Sequence, residues 1–392
     1  MPTTRTKNLI YRIALPFKAP RLKGYPDINT FGHSLGNQKK YIRLLKKHHV
    51  LGSAALFAQK GDRLIVTCSL ANPERHVAPQ SLFRVASITK MATALAALKA
   101  VEEGLLDLEE PVNNVFKSQA CIPPVPELEN VTLIHLLSHT SGLSDPENME
   151  EALLTGMTFP ELISEIPLSR TISSFRYSNF GYGLIGCLLE AVYRVPVSDI
   201  LSKLVFQPLG MRAFLDVSQI NPEEIIPISR VLPYRPDKSV IKTALGKMPL
   251  IEADPTRHYG HTAGAMYADI ESLEKLIRCL MSEGKPILGH KTGKKMSEQM
   301  ASYGKISPSL HYGLGLLIIE DPSISSHRIL GHQGFAYGCA DGAFWEEDTG
   351  RIVIFLNGGA SEARHGRLGL CNEEILRWAI KKEMPKWSES VK

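Results

Sequence analysis

The chain has 392 residues, 44% apolar and 22% charged, a globular composition that excludes disordered and fibrous classes. This length exceeds a single compact core, so two lobes, or one large domain with an inserted lobe, are expected. The net charge of +5 is unevenly held: residues 1–50 carry eleven Lys or Arg against one acid, Asp27, and the rest carries 34 basic and 39 acidic side chains. The arm reads as a solvated basic tail on a mildly acidic body, and no nucleic-acid partner is expected.

Residues 1–33 read as an irregular basic leader punctuated by Pro16, Pro20, Gly24 and Pro26. Its apolar stretch, Leu9–Phe17, is short, is interrupted by Arg12 and lacks a small-residue cleavage site, so a secretory signal is not expected. A cytoplasmic location follows, with organellar transit as the alternative. No run reaches the ~18 apolar residues of a membrane span. Cysteines 68, 121, 187, 279, 339 and 371 contain no C-x-x-C pair and read as reduced core residues.

A basic amphipathic helix is expected from Ser34 to about His49, with Tyr41, Leu44 and Leu45 on its apolar side. Gly52–Gln59 and Leu64–Leu70 read as a hairpin turning at Gly61-Asp62. Ser87 to Leu98 (SITKMATALAAL) holds one charge, Lys90, and reads as a buried helix that stops near Gly104. Helical patterns follow at Thr132–Ser138, Gly181–Tyr193 and Val197–Phe206. Residues 218–258 carry several prolines and little periodicity, as a surface excursion or lid would. Ala268–Glu283 reads as a helix with Asp269 near its start. Strand signals return at Tyr312–Ile319, Arg328–Gly334, Gly338–Trp345 and Arg351–Leu356, and a helix over Asn372–Lys382 closes the body. Strands at both ends predict a sheet lobe (about 34–86 and 259–392) interrupted by an all-α lobe (about 87–258).

Ser87-Ile88-Thr89-Lys90 places a hydroxyl and an amine on one helix face, one turn apart. A serine there becomes a nucleophile when the amine is neutral enough to take its proton. Ser-x-x-Lys recurs at Ser239, Ser272, Ser282 and Ser302, but in polar surroundings where a solvated lysine suffices. Tyr177-Ser178-Asn179 is the only Tyr-x-Asn in the chain. Its phenol suits a general base if a neighbouring ammonium lowers its pKa, and the alternative is a turn tyrosine followed by a capping asparagine. Two stretches compete for a third element. Lys291-Thr292-Gly293 lies in a surface turn entering a helix, whereas His332-Gln333-Gly334 ends a strand, where a backbone N–H can meet a substrate carbonyl; we choose the latter. His135 and His139 have Leu136 between them and no third ligand in view, so a structural role and no metal are expected.

Together these residues resemble the serine β-lactamase and penicillin-binding-protein superfamily, in its class C-like branch of carboxypeptidases, D-aminopeptidases, esterases and acyltransferases. The most specific stretches are Phe83–Lys90, Leu136–Leu143 (LLSHTSGL), Tyr177–Tyr182, Tyr312–Gly315 (YGLG) and Gly331–Gly334. The resemblance implies an α+β, β-lactamase/transpeptidase-like fold: an antiparallel sheet flanked by helices, with an inserted helical lobe. It implies that Ser87 is acylated, Lys90 is its proton partner and Tyr177 is the general base. It also implies that Asn179 holds the substrate amide and the Lys90 ammonium, and that the backbone N–H groups of Ser87 and Phe335, beside Gly334, form the oxyanion hole. His139 falls in a loop that is structural in this family.

His332 replaces the lysine with which β-lactamases attract a carboxylate, which weakens efficient β-lactam hydrolysis. The expected function is a cofactor-free serine hydrolase acting on an ester or amide of a small molecule or peptide through acyl-Ser87. The alternatives are an acyltransferase with the same intermediate, or a non-turnover β-lactam-binding or sensing protein. Loops 145–170 and 218–262 are expected to shape specificity.

Overall fold

In the strand Gly52–Gln59, Ala54, Leu56 and Ala58 enter one core, while Ala55 and Phe57 enter another. Both faces of the strand are buried, so it reads as an unbroken apolar run instead of an alternation. The computed structural model describes residues 27–32, 38–69, 76–164, 172, 174–226, 229–231, 234–236 and 250–380. Most of the basic leader, residues 237–249 of the proline-bearing excursion and the far ends of the first and last expected helices lie outside these residues.

One nine-stranded sheet organises the molecule. Its strands are β1 (Asp27–Gly32), β2 (Gly52–Gln59), β3 (Asp62–Ser69), β4 (Ala301–Ser302), β5 (Leu310–Tyr312), β6 (Leu317–Ile319), β7 (Ile329–Ala336), β8 (Cys339–Glu346) and β9 (Ile352–Gly358). They lie in the order β1-β3-β2-β9-β8-β7-β6-β5-β4, and every neighbouring pair is antiparallel. The chain's two ends meet at the centre, where Ala58 of β2 pairs with Ile352 of β9. β1 was read as part of the irregular leader. It is a short edge strand held by pairing with β3, with Phe31 47% exposed, so its burial pattern is too weak to see in sequence.

Helices cover both faces. On one side α1 (Gln38–Lys47) and α5 (Leu370–Ile380) pack together, with Tyr41 stacked on Trp378 at 5.5 Å and edge-on to Phe57 at 6.0 Å. On the other lie α2 (Thr89–Glu102), α3 (Asn179–Tyr193) and α4 (Ile270–Met281), whose start is capped by Asp269. Residues 89–98 of α2 are all buried, as expected for a helix apolar on every side, and Gly104 beyond its end has the left-handed φ of 72°. The inserted segment is mainly helical. It also contributes the short strand Ala213–Phe214, which joins Tyr267–Ala268 and Phe83–Arg84 in a small three-stranded sheet.

The run Tyr312–Ile319 is not one strand. It folds back on itself, with Tyr312 of β5 opposite Leu317 of β6. Gly315 makes the reversal: its φ is +82°, and a Cβ there would lie 2.4 Å from the Ala94 Cβ of α2. The apolar letters describe burial on both arms and conceal the turn. We expect Gly315→Ala to destabilise the protein by about 2 kcal/mol through this overlap and the unfavourable φ, measured by urea denaturation; unchanged stability would contradict this packing.

Candidate active site

Ser87 sits in a tight turn, Ala86–Ile88, that leads directly into α2. Ala86 adopts a φ of +45°, uncommon for a residue with a side chain. Ser87 is partly open to the cleft, whereas Lys90, one turn on, is wholly buried. The Lys90 Nζ lies 3.2 Å from Ser87 Oγ, 2.8 Å from Asn179 Oδ1 and 2.7 Å from the Ala263 carbonyl. It also lies 5.0 Å from the Tyr177 ring centre and 5.3 Å from that of Tyr182. Burial lowers the amine pKa to about 7; Asp145 opposes the shift and the Arg84 guanidinium adds to it.

The Ala263 carbonyl reaches this point because α3 lets its segment come close. Gly183 has no side chain where a Cβ would overlap the Tyr259 carbonyl at 1.7 Å. Thr262 Oγ1 donates to the Tyr182 carbonyl at 2.7 Å, and Arg84 Nη2 donates to the Gly264 carbonyl at 2.9 Å. Residues 259–264 are thus clasped between α2 and α3. No property of their side chains announces this role, and sequence reasoning missed it.

Tyr177-Ser178-Asn179 enters α3, with Ser178 Oγ accepting from the Gly181 N–H as its cap. Burial outweighs the Ser87 side chain, which acts to lower the pKa of the Tyr177 hydroxyl. Burial of that hydroxyl pushes its pKa well above 10, opposite to the lowering entertained from sequence. The side chain is half-buried and packs at 4.2 Å on His139, itself buried and held well below its usual pKa by burial. His139 Nδ1 accepts the Ser178 N–H at 3.2 Å, and the His139 carbonyl accepts the Arg176 N–H at 2.7 Å. His135 Nδ1 accepts the Thr132 N–H at 3.2 Å. Both histidines therefore serve the backbone.

His332 lies on β7, buried, with Nε2 2.9 Å from the Tyr312 hydroxyl. Its Nδ1 is 2.7 Å from the Gln333 carbonyl, which can only accept, so the proton sits on Nδ1 and Tyr312 donates to Nε2. Burial first, then the Lys90 charge, lowers its pKa to about 3. The imidazole is neutral. β6 pairs with β7 only as far as Gly331, which leaves the edge beyond His332 free of a strand partner on that side. There Gly334 abuts the Ser87 turn: a Cβ would lie 2.3 Å from the Val85 carbonyl. Phe335 follows, with the Arg364 guanidinium 4.3 Å from its ring centre on the cleft wall.

Ser87, Lys90, Tyr177, Asn179, His332, Gly334 and Phe335 therefore come together between the start of α2, the start of α3 and β7. Lys291 does not join them. It is exposed on the short helix His290–Lys295. Asp145 and Tyr312 contact the cluster but were not singled out; Tyr312 stood within a quoted stretch, and Asp145 had no sequence signal.

The sequence model of the Beta-lactamase family matches residues 38–368, and the chain belongs to that family. Esterase EstB of Burkholderia gladioli is 30% identical over 193 residues, 44% of this chain and 48% of that protein. Penicillin-binding protein 4* of Bacillus subtilis (strain 168) is 27% identical over 193 residues, 45% of this chain and 41% of that one. The chain spans about half the length of the curated relatives it matches. The D-amino acid amidase from Ochrobactrum anthropi SV3, solved with L-phenylalanine amide, superposes with a TM-score of 0.69 at 22% identity, covering 88% of this chain and 99% of that one. The expected β-lactamase-like fold is thereby established. Among the described residues no helix is long and apolar enough to cross a membrane.

Because Gly334 lies against the Val85 carbonyl just before the Ser87 turn, Gly334→Ala should push β7 away from Ser87 while leaving the fold intact. We expect labelling of Ser87 by a fluorophosphonate to slow by about 10², the scale of losing one oxyanion donor. Unaltered labelling would show that β7 does not contribute.

Proposed function

We propose that this protein is a serine hydrolase that cleaves an ester or amide through an acyl-Ser87 intermediate. The observation that carries the reading is the buried Lys90 amine, near neutrality, within reach of the Ser87 hydroxyl. Close to pH 7 a large fraction of the amine is unprotonated and able to accept the serine proton. Ser87 Oγ attacks the scissile carbonyl carbon as its proton passes to Lys90 Nζ. The oxyanion is received by the N–H groups of Ser87 and Phe335. On collapse, the carbon–leaving-group bond breaks and the leaving alcohol or amine takes the proton through the Tyr177 hydroxyl. Water then attacks the acyl carbon, giving its proton to the same pair, and the acid leaves as Ser87 regains its hydrogen.

In this reading Tyr177 relays protons between neighbours and Lys90 is the base, because a phenol whose pKa is raised stays protonated. The relatives' names, an esterase and a penicillin-binding protein, support acyl chemistry. The neutral His332 supplies shape and hydrogen bonds without a charge for a carboxylate, which favours esters and amides over β-lactams.

Ser87→Ala is expected to abolish both fluorophosphonate labelling and hydrolysis of p-nitrophenyl esters; residual turnover by that variant would end the proposal. Tyr177→Phe should lower kcat by about 10², and Lys291→Ala should leave it unchanged. The kcat/KM of the unaltered enzyme should rise with pH through about 7, as Lys90 loses its proton. His332, titrating near 3, should add no inflection between pH 5 and 9. A rate independent of pH across neutrality would remove Lys90 as the base.

A further inference from the structure

The Asp145 carboxylate gathers three donors from the Tyr177 segment: Ser178 Oγ at 3.2 Å, Asn179 Nδ2 at 2.7 Å and the Phe180 N–H at 2.9 Å. The contact with Asn179 has a chemical consequence. A carboxylate oxygen accepts, so the amide must turn Nδ2 toward Asp145 and Oδ1 toward Lys90. Lys90 then directs one N–H at Asn179 Oδ1, 2.8 Å away, and another at the Ala263 carbonyl, 2.7 Å away. A neutral amine has two hydrogens and one lone pair. With both hydrogens engaged by oxygens that only accept, the lone pair is left for Ser87 Oγ at 3.2 Å.

We propose that Asp145 is a positioning residue: by locking the orientation of the Asn179 amide, it aims the Lys90 lone pair at the Ser87 hydroxyl. This rests on the reading of Lys90 as base. Were the amide free to turn, Nδ2 would donate to the Lys90 nitrogen and occupy the lone pair. The charged or titratable groups around Lys90 are Tyr177 and Tyr182 at α3, Arg84 before α2, His139 in the LLSHTSGL loop, His332 on β7, and Asp145 itself. Asp145 is the one acid named among them, but it is exposed, so solvent screens its charge. Orientation is its larger effect.

The test follows fluorophosphonate labelling of Ser87 against pH in the unaltered protein, in Asp145→Asn and in Ser178→Ala. Asparagine at 145 keeps the shape but can donate as well as accept, releasing the lock. We expect its alkaline plateau to fall about tenfold, the scale of one hydrogen bond to a charged group. The pH of half-maximal rate should move down, since an Asn179 amide free to turn no longer holds Oδ1 against the ammonium. Ser178→Ala removes the helix cap and one donor to Asp145 but leaves the Asn179 contact. It should lower the melting temperature and leave the labelling profile in place. A superimposable profile for Asp145→Asn, or the same change in Ser178→Ala, would overturn the proposal and reduce Asp145 to a helix cap. An NMR titration of Lys90 with [ε-13C]lysine needs no reaction. A lower midpoint in Asp145→Asn supports the proposal and an unmoved one overturns it, even if failure to label the unaltered protein has refuted the hydrolase reading.

Discussion

The burial of one amine governs the arrangement of this molecule. A lysine with no solvent exposure must lose its charge or acquire partners, and Lys90 does some of each. Holding its pKa near 7 instead of 10.5 corresponds to roughly 5 kcal/mol against the ammonium. That penalty is tolerable because the remaining hydrogens meet Asn179 and Ala263. Each partner depends on a larger packing decision. Asn179 depends on the entry to α3, and Ala263 on the glycine that lets the 259–264 segment press against that helix.

The surrounding titratable groups follow the same logic. Tyr177 keeps its proton and His332 stays uncharged, both chiefly because burial penalises their ionised forms. The cluster thus resolves its electrostatics by neutrality and hydrogen bonding instead of by a buried ion pair, whose desolvation would be costly. In the reaction we propose, a neutral base beside a neutral hydroxyl would let charge appear only as the chemistry proceeds, where fixed N–H groups could meet it.

Much of this was legible from the letters, and unevenly so. The hairpin of β2 and β3, the all-buried α2 and the long helix α3 have local causes: turn residues, helix formers and capping groups. Ser87, Lys90, Tyr177 and His332 were recognisable because their chemistry sits in short stretches of defined order. The reversal between β5 and β6 was hidden, since Gly313-Leu314-Gly315 reads as a weak point in a strand until α2 is seen against it. Asp145 and Ala263 were invisible for a deeper reason. One is an acid in a loop and the other a main-chain oxygen, and their roles exist only through folding partners distant in sequence.

The pairing of Ala58 with Ile352 also bears on how the polypeptide reaches its native state. During ribosomal synthesis, β2 and β3 emerge about 300 residues before their central neighbour β9. The inserted helices meanwhile can collapse on local contacts. Such high contact order slows folding and leaves an apolar hairpin unsheltered on a growing nascent chain. The architecture that shelters the buried amine therefore leaves an early-made hairpin waiting for its central neighbour.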